Sequence, residues 1–366
     1  MKARVPLQQA LAQRHLPALD GLRAIAVFVV IAYHGMFEWV PGDLGVSAFF
    51  VLSGFLITWL LLQEHDGSGA ISLRRFYTRR VLRIFPAYYC FIAASFAFDA
   101  FRHNVWPPAL RWSAVLYLVN YYNALHGHPP TSIAHAWSLS VEEQFYLLWP
   151  LLLTLLLRGR MRWVIRGLVM AVVGVPLYRS LLFMKFGAPA AYVYNAFDAR
   201  FDNLAVGCLL AACVRHPRFT AATAALVRWA WLPLVTVCLI VLSRTAFGRD
   251  YHYSVGMTVD ALLVAVFILQ ALQLYQHPAW AWLEHPVTRH IGLLSYSLYL
   301  WHLWGLDAGH QLHRLPPMAQ FIAGVAVSYA LASASYYLIE RPFLALKKRF
   351  QTPDQLPPGL AHAAPR

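Results

Sequence analysis

Apolar residues along this chain come in long blocks, and polar and basic residues gather in the short stretches between them. Ten blocks stand out, at about 19–38, 44–63, 81–101, 141–157, 162–184, 200–214, 229–243, 256–275, 290–307 and 318–339. Most approach the roughly twenty residues that a helix needs to cross about 30 Å of hydrocarbon. Inside a bilayer the backbone must satisfy its own hydrogen bonds, so repeated runs of this kind predict helices. The pattern predicts an all-α polytopic membrane protein with about ten transmembrane helices. A further short apolar stretch, Trp112–Tyr122, is read as interfacial or re-entrant.

Composition supports that class. Of 366 residues, 59% are hydrophobic and 13% charged, too apolar a balance for a water-facing surface. The formal charge of +14 comes from 30 Lys and Arg against 16 Asp and Glu. Such a balance can signal nucleic acid. Here the basic residues lie between apolar blocks, which points instead to membrane lipids and anionic ligands, with no nucleic-acid partner.

Their distribution also sets an expected orientation. With the N-terminus inside, the inner segments hold Arg74, Arg75, Arg79, Arg80 and Arg83, the RGRMRWVIR loop and most other basic residues. The outer segments hold only Arg102, Arg111, Lys185, Arg244, Arg249 and Arg314. Both termini are therefore expected in the cytoplasm. The expected organisation is a cytoplasmic segment over 1–18, a ten-helix domain over 19–343 and a basic, Pro-rich tail over 344–366. Residues 1–18 lack the apolar core and cleavage site of a signal peptide, so the first span is expected to stay in the mature protein. Cys90, Cys208, Cys213 and Cys238 fall in or beside apolar blocks with no CxxC or Cys/His spacing. They predict neither a disulfide nor a metal site.

Ionisable groups inside the apolar blocks are the candidates for chemistry. The first block carries Asp20 and Arg23 at one end and His34 at the other, followed by Glu38. Eleven helical steps put Arg23 and His34 on one face, about 16 Å apart along the axis. A neutral imidazole is a suitable general base near pH 7. The plainer alternative is an Arg reaching headgroups and a His satisfied within the bundle. In LRRFYTRRVLRIFPAYY, Arg80 and Arg83 share a helix face, and their planar forks suit phosphate, unless they only orient the loop.

AWSLSVEEQFYLLWP places Glu142 and Glu143 near a helix start. A carboxylate there either meets the helix dipole or partners His34. In NAFDARFDNLAVG, Asp198, Arg200 and Asp202 form an internal ion pair or touch substrate. In GLLSYSLYLWHLWG, Ser295, Tyr299 and His302 are spaced for one face, and YYLIERPF reads as a helix stop. The loop from Arg102 to Trp137 holds His103, His126, His128 and His135. Each of these is read as a solvated loop residue, with a pocket wall as the alternative.

Seven stretches together resemble the acyltransferase 3 family of integral-membrane acyltransferases. They are LDGLRAIAVFVVIAYH, GVSAFFVLSGFLIT, RRVLRIFPAYY, WSLSVEEQFYLLWP, RFDNLAVG, SYSLYLWH and IERPF, in the family's order from Leu19 to Phe343. The resemblance implies ten membrane helices in a bacterial inner membrane. It also implies transfer of an acyl group, usually acetyl, from cytoplasmic acyl-CoA to a hydroxyl of an extracytoplasmic carbohydrate. The family's Arg-x10-His signature falls on Arg23 and His34, its RxxR on Arg80 and Arg83, its acidic residue on Glu142, and its Arg–Phe–Asp element on Arg200 and Asp202. Many members carry Asp where this chain has Ser47. Some add a C-terminal hydrolase-like domain, whereas this chain stops soon after its last helix, so the acceptor is expected to be served by the membrane domain or by a partner. The residues are silent on oligomeric state. A transporter or flippase is the alternative class, but no paired Gly/Pro-broken helices occur in two matching halves.

Overall fold

The computed structural model describes residues 4–13 and 16–347. The expected C-terminal tail lies outside the described residues from 348 onward, as do residues 1–3 of the N-terminal segment. Each of the ten apolar blocks forms a helix. In chain order these are α1 (Pro17–Gly35), α2 (Gly42–Ser68), α3 (Leu73–Phe101), α4 (Trp137–Leu157), α5 (Met161–Ser180), α6 (Asp202–Cys213), α7 (Leu232–Ala246), α8 (Met257–Leu274), α9 (Ser295–His310) and α10 (Pro317–Ser335). No strand is present among the described residues.

Ten full-length spans were expected, and the helices differ from that in length. Among the described residues, seven helices are long and apolar enough to cross a membrane, or eight if α7 is joined to Pro217–Val227, from which it is bent by 88°. The exceptions are α6, α7 and α9, with 12, 15 and 16 residues. A 12-residue helix rises only about 18 Å. Ten of its residues are buried, so α6 is walled by protein along its length. That surrounding permits the irregular backbone ahead of it, where lipid would not. The stretch Trp112–Tyr122 forms parts of two eight-residue helices, Pro108–Val115 and Val119–His126, each too short to cross. They are broken near Tyr117, whose φ is 53°.

Small residues set how closely the inner helices approach. A Cβ on Gly54 of α2 would collide with the Leu204 carbonyl of α6, and one on Gly207 of α6 with the Val51 carbonyl of α2. Close backbone contact of this kind is how helices pack where the hydrophobic effect offers no drive. On the other side of α6, Arg179 of α5 is fully buried against Asp202. Its Nε donates to the Ser254 carbonyl at 2.7 Å and its Nη1 to the Ala199 carbonyl at 2.7 Å. Nη1 and Nη2 each reach one Asp202 carboxylate oxygen at 3.3 Å, and Nη2 also donates to Thr258 Oγ1 at 2.7 Å. All five N–H groups are thereby used, and Thr258 of α8 donates its own proton back to Asp202. Asp202 is thus the carboxylate of an internal ion pair, and its partner is Arg179.

Removing one member of a buried pair leaves a bare charge, at a cost of about 3–5 kcal/mol. Asp202→Ala is therefore expected to lower the thermal midpoint of the detergent-solubilised protein sharply or to prevent its accumulation. The double variant Arg179→Leu/Asp202→Leu is expected to recover most of that loss. Fluorescence-detected size exclusion after heating reads both.

Candidate active site

Two cavities of about 1040 Å³ and 1330 Å³ occupy the bundle. Among the described residues, only Val46 of α2 and Tyr299 of α9 line both, so these two side chains form the wall the two spaces share.

The first cavity is the arginine end. Its wall includes Asp20 and Arg23 from α1, Ser53 from α2, Arg80 and Arg83 from α3, Glu142 from α4 and Ser295 from α9. Arg23 Nη1 lies 3.1 Å from Asp20 Oδ1. Arg79, the neighbour of Arg80, is held 3.2 Å from the buried carboxylate of Glu64. Arg80 differs. Its guanidinium sits over the rings of Phe76 at 5.6 Å and Tyr146 at 5.0 Å, and neither it nor Arg83 joins an ion pair among the described residues. The α3 helix puts both on its cavity face because they are three residues apart. A half-buried pair of guanidinium groups without carboxylate partners, facing a cavity, is a ready receptor for phosphate.

Glu142 belongs to this end as well. Its Oε1 accepts from Ser53 Oγ at 2.5 Å, and Arg80 is the cation that acts on it most strongly. The expected pairing of Glu142 with His34 is corrected here. Glu142 lines the first cavity and His34 the second, and the imidazole has other partners. The reason is register. His34 is at the far end of α1, whereas Glu142 sits where α4 runs beside α2 and α3.

The second cavity is the histidine end, with His34, Glu38, Asp43, His128, His135 and Arg244 among its lining. His34 Nδ1 lies 2.9 Å from the Val30 carbonyl. A carbonyl only accepts, so Nδ1 carries the proton and the lone pair resides on Nε2. Nε2 makes no hydrogen bond among the described residues. His302, fully buried behind His34 on α9, lines neither cavity. Its Nδ1 lies 2.8 Å from the Tyr299 carbonyl, and its Nε2 3.3 Å from His34 Nδ1. His135 packs on His302 with ring centroids 4.9 Å apart and directs Nε2 at the Leu300 carbonyl. That corrects the reading of His135 as a solvated loop residue, since it is only 4% exposed. Its position directly before the WSLSVEE motif was the available signal. Tyr299 is fixed between the cavities by a 2.6 Å bond to Ser138 Oγ and a 2.9 Å bond to the His135 carbonyl.

The other walls of the second cavity hold groups that residue-by-residue reading missed. Arg244 of α7 grips Asp43 through both terminal nitrogens at 2.9 and 2.6 Å and also reaches Asp260 at 2.9 Å, while His252 stands 3.4 Å from Asp43. In the loop before α4, His128 Nε2 donates to Asn195 Oδ1 at 3.0 Å. Burial holds His128 below the ordinary histidine range despite that bond, so it is neutral at pH 7. Arg200 is fully buried. One terminal nitrogen donates to Ser47 Oγ at 3.2 Å, the guanidinium lies over the Tyr194 and Phe50 rings, and Nε and Nη1 have no partner. With a hydroxyl at Ser47, no carboxylate stands within 4 Å of this cation among the described residues. No group of three or more His, Cys, Asp or Glu suited to a metal ion occurs among the described residues.

Diethylpyrocarbonate distinguishes the three clustered imidazoles. Carbethoxylation is expected at His34, whose lone pair faces open space, and not at His302 or His135 in the folded protein. Peptide mass spectrometry before and after denaturation reads the sites.

Comparison with known proteins shows the family of the chain. The acyltransferase 3 family, described as an acyltransferase domain, matches residues 16–337. The chain is 31% identical to the peptidoglycan O-acetyltransferase OatA of Listeria monocytogenes over 360 residues, covering 90% of this chain and 56% of that protein. It is 31% identical over 367 residues to YrhL of Bacillus subtilis, provisionally named a peptidoglycan O-acetyltransferase, covering 90% and 55%. A Staphylococcus aureus protein provisionally named an O-acetyltransferase is 31% identical over 355 residues, covering 90% and 57%. The chain thus spans a little over half the length of these relatives. No solved structure matches it.

Proposed function

The chain belongs to the acyltransferase 3 family of membrane acyltransferases, and from that premise we propose that it carries an acyl group, acetyl by its relatives' names, from acyl-CoA to a hydroxyl of a cell-surface glycan. The observation that supports this most is the end-to-end arrangement of the two cavities along α1. Unpaired arginines line one, an imidazole with a free Nε2 lines the other, and Tyr299 stands between them. In this reading Arg80 and Arg83, with Arg23 beside them, hold the CoA phosphates on the cytoplasmic side, as the distribution of basic loops suggests. The arm bearing the thioester then follows α1 towards His34, over the rise of about 16 Å between Arg23 and His34. The glycan enters the second cavity from the opposite side of a bacterial inner membrane.

In the second cavity His34 Nε2 takes the proton of the acceptor hydroxyl. The hydroxyl oxygen forms its bond to the thioester carbonyl carbon, the carbon–sulfur bond breaks, and the leaving thiolate receives the proton from Nε2. General base catalysis of this kind is worth about 10²–10⁴-fold. A route through an acyl-imidazole would use the same nitrogen. Glu142, bonded to Ser53 and near Arg80, balances charge at the donor end and does not orient the base. Asp20 holds Arg23. Ser295 shares the donor cavity wall, and Asp202 serves the fold.

In proteoliposomes with acetyl-CoA and a glycan acceptor, His34→Ala is expected to lower acyl transfer by at least about 10²-fold while acetyl-CoA binding stays intact. Transfer at the wild-type rate would sink the assignment. Labelled acetyl-CoA without acceptor marks the protein only if an acyl-imidazole forms.

Arg80→Ala and Arg83→Ala are each expected to raise the acyl-CoA KM about tenfold with little change in kcat, as loss of a charge-assisted hydrogen bond implies. KM values unchanged in both variants would move the nucleotide elsewhere.

A further inference from the structure

His34 lacks the usual companion of a catalytic imidazole. In a Ser–His–Asp arrangement, the nitrogen away from the reacting atom donates to a carboxylate, which fixes the tautomer and balances the imidazolium. Here that nitrogen, His34 Nδ1, points at the Val30 carbonyl and at His302 Nε2. Neither ring is in an ion pair among the described residues. The other titratable groups around them are Tyr33 and Glu38 beside His34, His128 and His135 from the segment before α4, Tyr299 on α9, and Asp43, Arg244 and His252 on the far walls of the second cavity.

The hydrogen bonds leave one consistent assignment of protons. Tyr299 O accepts only, so His302 carries its proton on Nδ1 and presents a lone pair at Nε2. Val30 O accepts only, so His34 also carries its proton on Nδ1. That single N–H is then shared between the carbonyl at 2.9 Å and the His302 lone pair at 3.3 Å. Reversing either ring would set two acceptors against each other. His302 is completely buried and lines neither cavity, and Ser328 of α10 donates to its main-chain oxygen at 3.2 Å. The ring therefore has no freedom to serve substrate directly.

The geometry assigns His302 as the positioning residue of the base, a neutral imidazole that takes the place of a triad carboxylate behind His34. This inference rests on the reading of His34 as the base and deepens it. When His34 Nε2 takes the hydroxyl proton, the positive charge spreads to Nδ1–H, and the His302 lone pair strengthens its hold on that hydrogen. No proton needs to pass to His302. The proton returns from Nε2 to the thiolate as the carbon–sulfur bond breaks, and the dyad is restored. A neutral partner also avoids placing a permanent carboxylate deep in the bundle, where a lone charge is costly.

Three variants test this in proteoliposomes, with folding checked by size exclusion. His302→Phe keeps the ring and removes the acceptor. It is expected to lower kcat about tenfold or more, leave KM for both substrates within about twofold, and move the acid limb of the kcat–pH profile to lower pH. His302→Gln restores an acceptor and is expected to recover much of kcat. His302→Glu adds charge at the same length and is expected to move the acid limb upward by about one pH unit relative to Gln. Equal losses in Phe and Gln with an unmoved profile would reduce His302 to packing and overturn the assignment. If Phe does not fold, the Gln-to-Glu comparison decides, and an unmoved acid limb refutes the dyad. Should His34→Ala retain transfer, it is the underlying reading that fails; if His34→Ala is inactive and the His302 profiles do not move, only the dyad does.

Discussion

The guanidinium of Arg179 is closed inside the bundle against Asp202, with every N–H taken and Thr258 completing the circuit. Three helices, α5, α6 and α8, meet at that point. Without it α6 would have little reason to stand where it does, since twelve residues cannot span hydrocarbon alone. Held from one side by the ion pair, α6 presses its small residues against α2 on the other, at Gly54 and Gly207. The α2 helix in turn supplies Val46 and Ser53 to the cavity walls. The position of the reactive groups thus rests on a charge pair that never touches them.

Charge placement follows one rule throughout the molecule. A cation in the bundle is neutralised, laid on aromatic rings, or turned towards a cavity. Arg179 and Arg244 take the first course, Arg200 the second, and Arg80 combines the second and third. Arg200 keeps two buried N–H groups without partners, an expense that the two aromatic faces only partly offset. The histidine end achieves the same economy by different means. It groups three imidazoles, each with a ring nitrogen directed at a backbone carbonyl.

Much of this was legible in the chain. Ten apolar blocks became ten helices, and the helical spacing of Arg80 and Arg83 and of Arg23 and His34 placed these residues on cavity walls. Relations within one helix follow from a fixed rise and turn, so sequence carries them. Relations between helices depend on depth and rotation, which sequence does not carry. That is why Glu142 was matched to His34 although it belongs with Ser53, and why Asp202 was not matched to Arg179. Some of the missing signal was present. Arg179 and Asp260 each interrupt an apolar block, and a charge in such a place calls for a partner. His135 was harder, because one of four histidines in a long connection looks like the others until the chain folds it beneath α9.

Among the described residues the two large cavities share only Val46 and Tyr299 in their walls, and that narrow division has an electrical consequence. A living membrane is an insulator under voltage, and two wet chambers joined end to end through it would be a short circuit for protons and small ions. The wall the two spaces share holds one branched aliphatic and one phenol, the latter clamped by Ser138. Tyr299 is therefore placed where conduction and passage must be told apart.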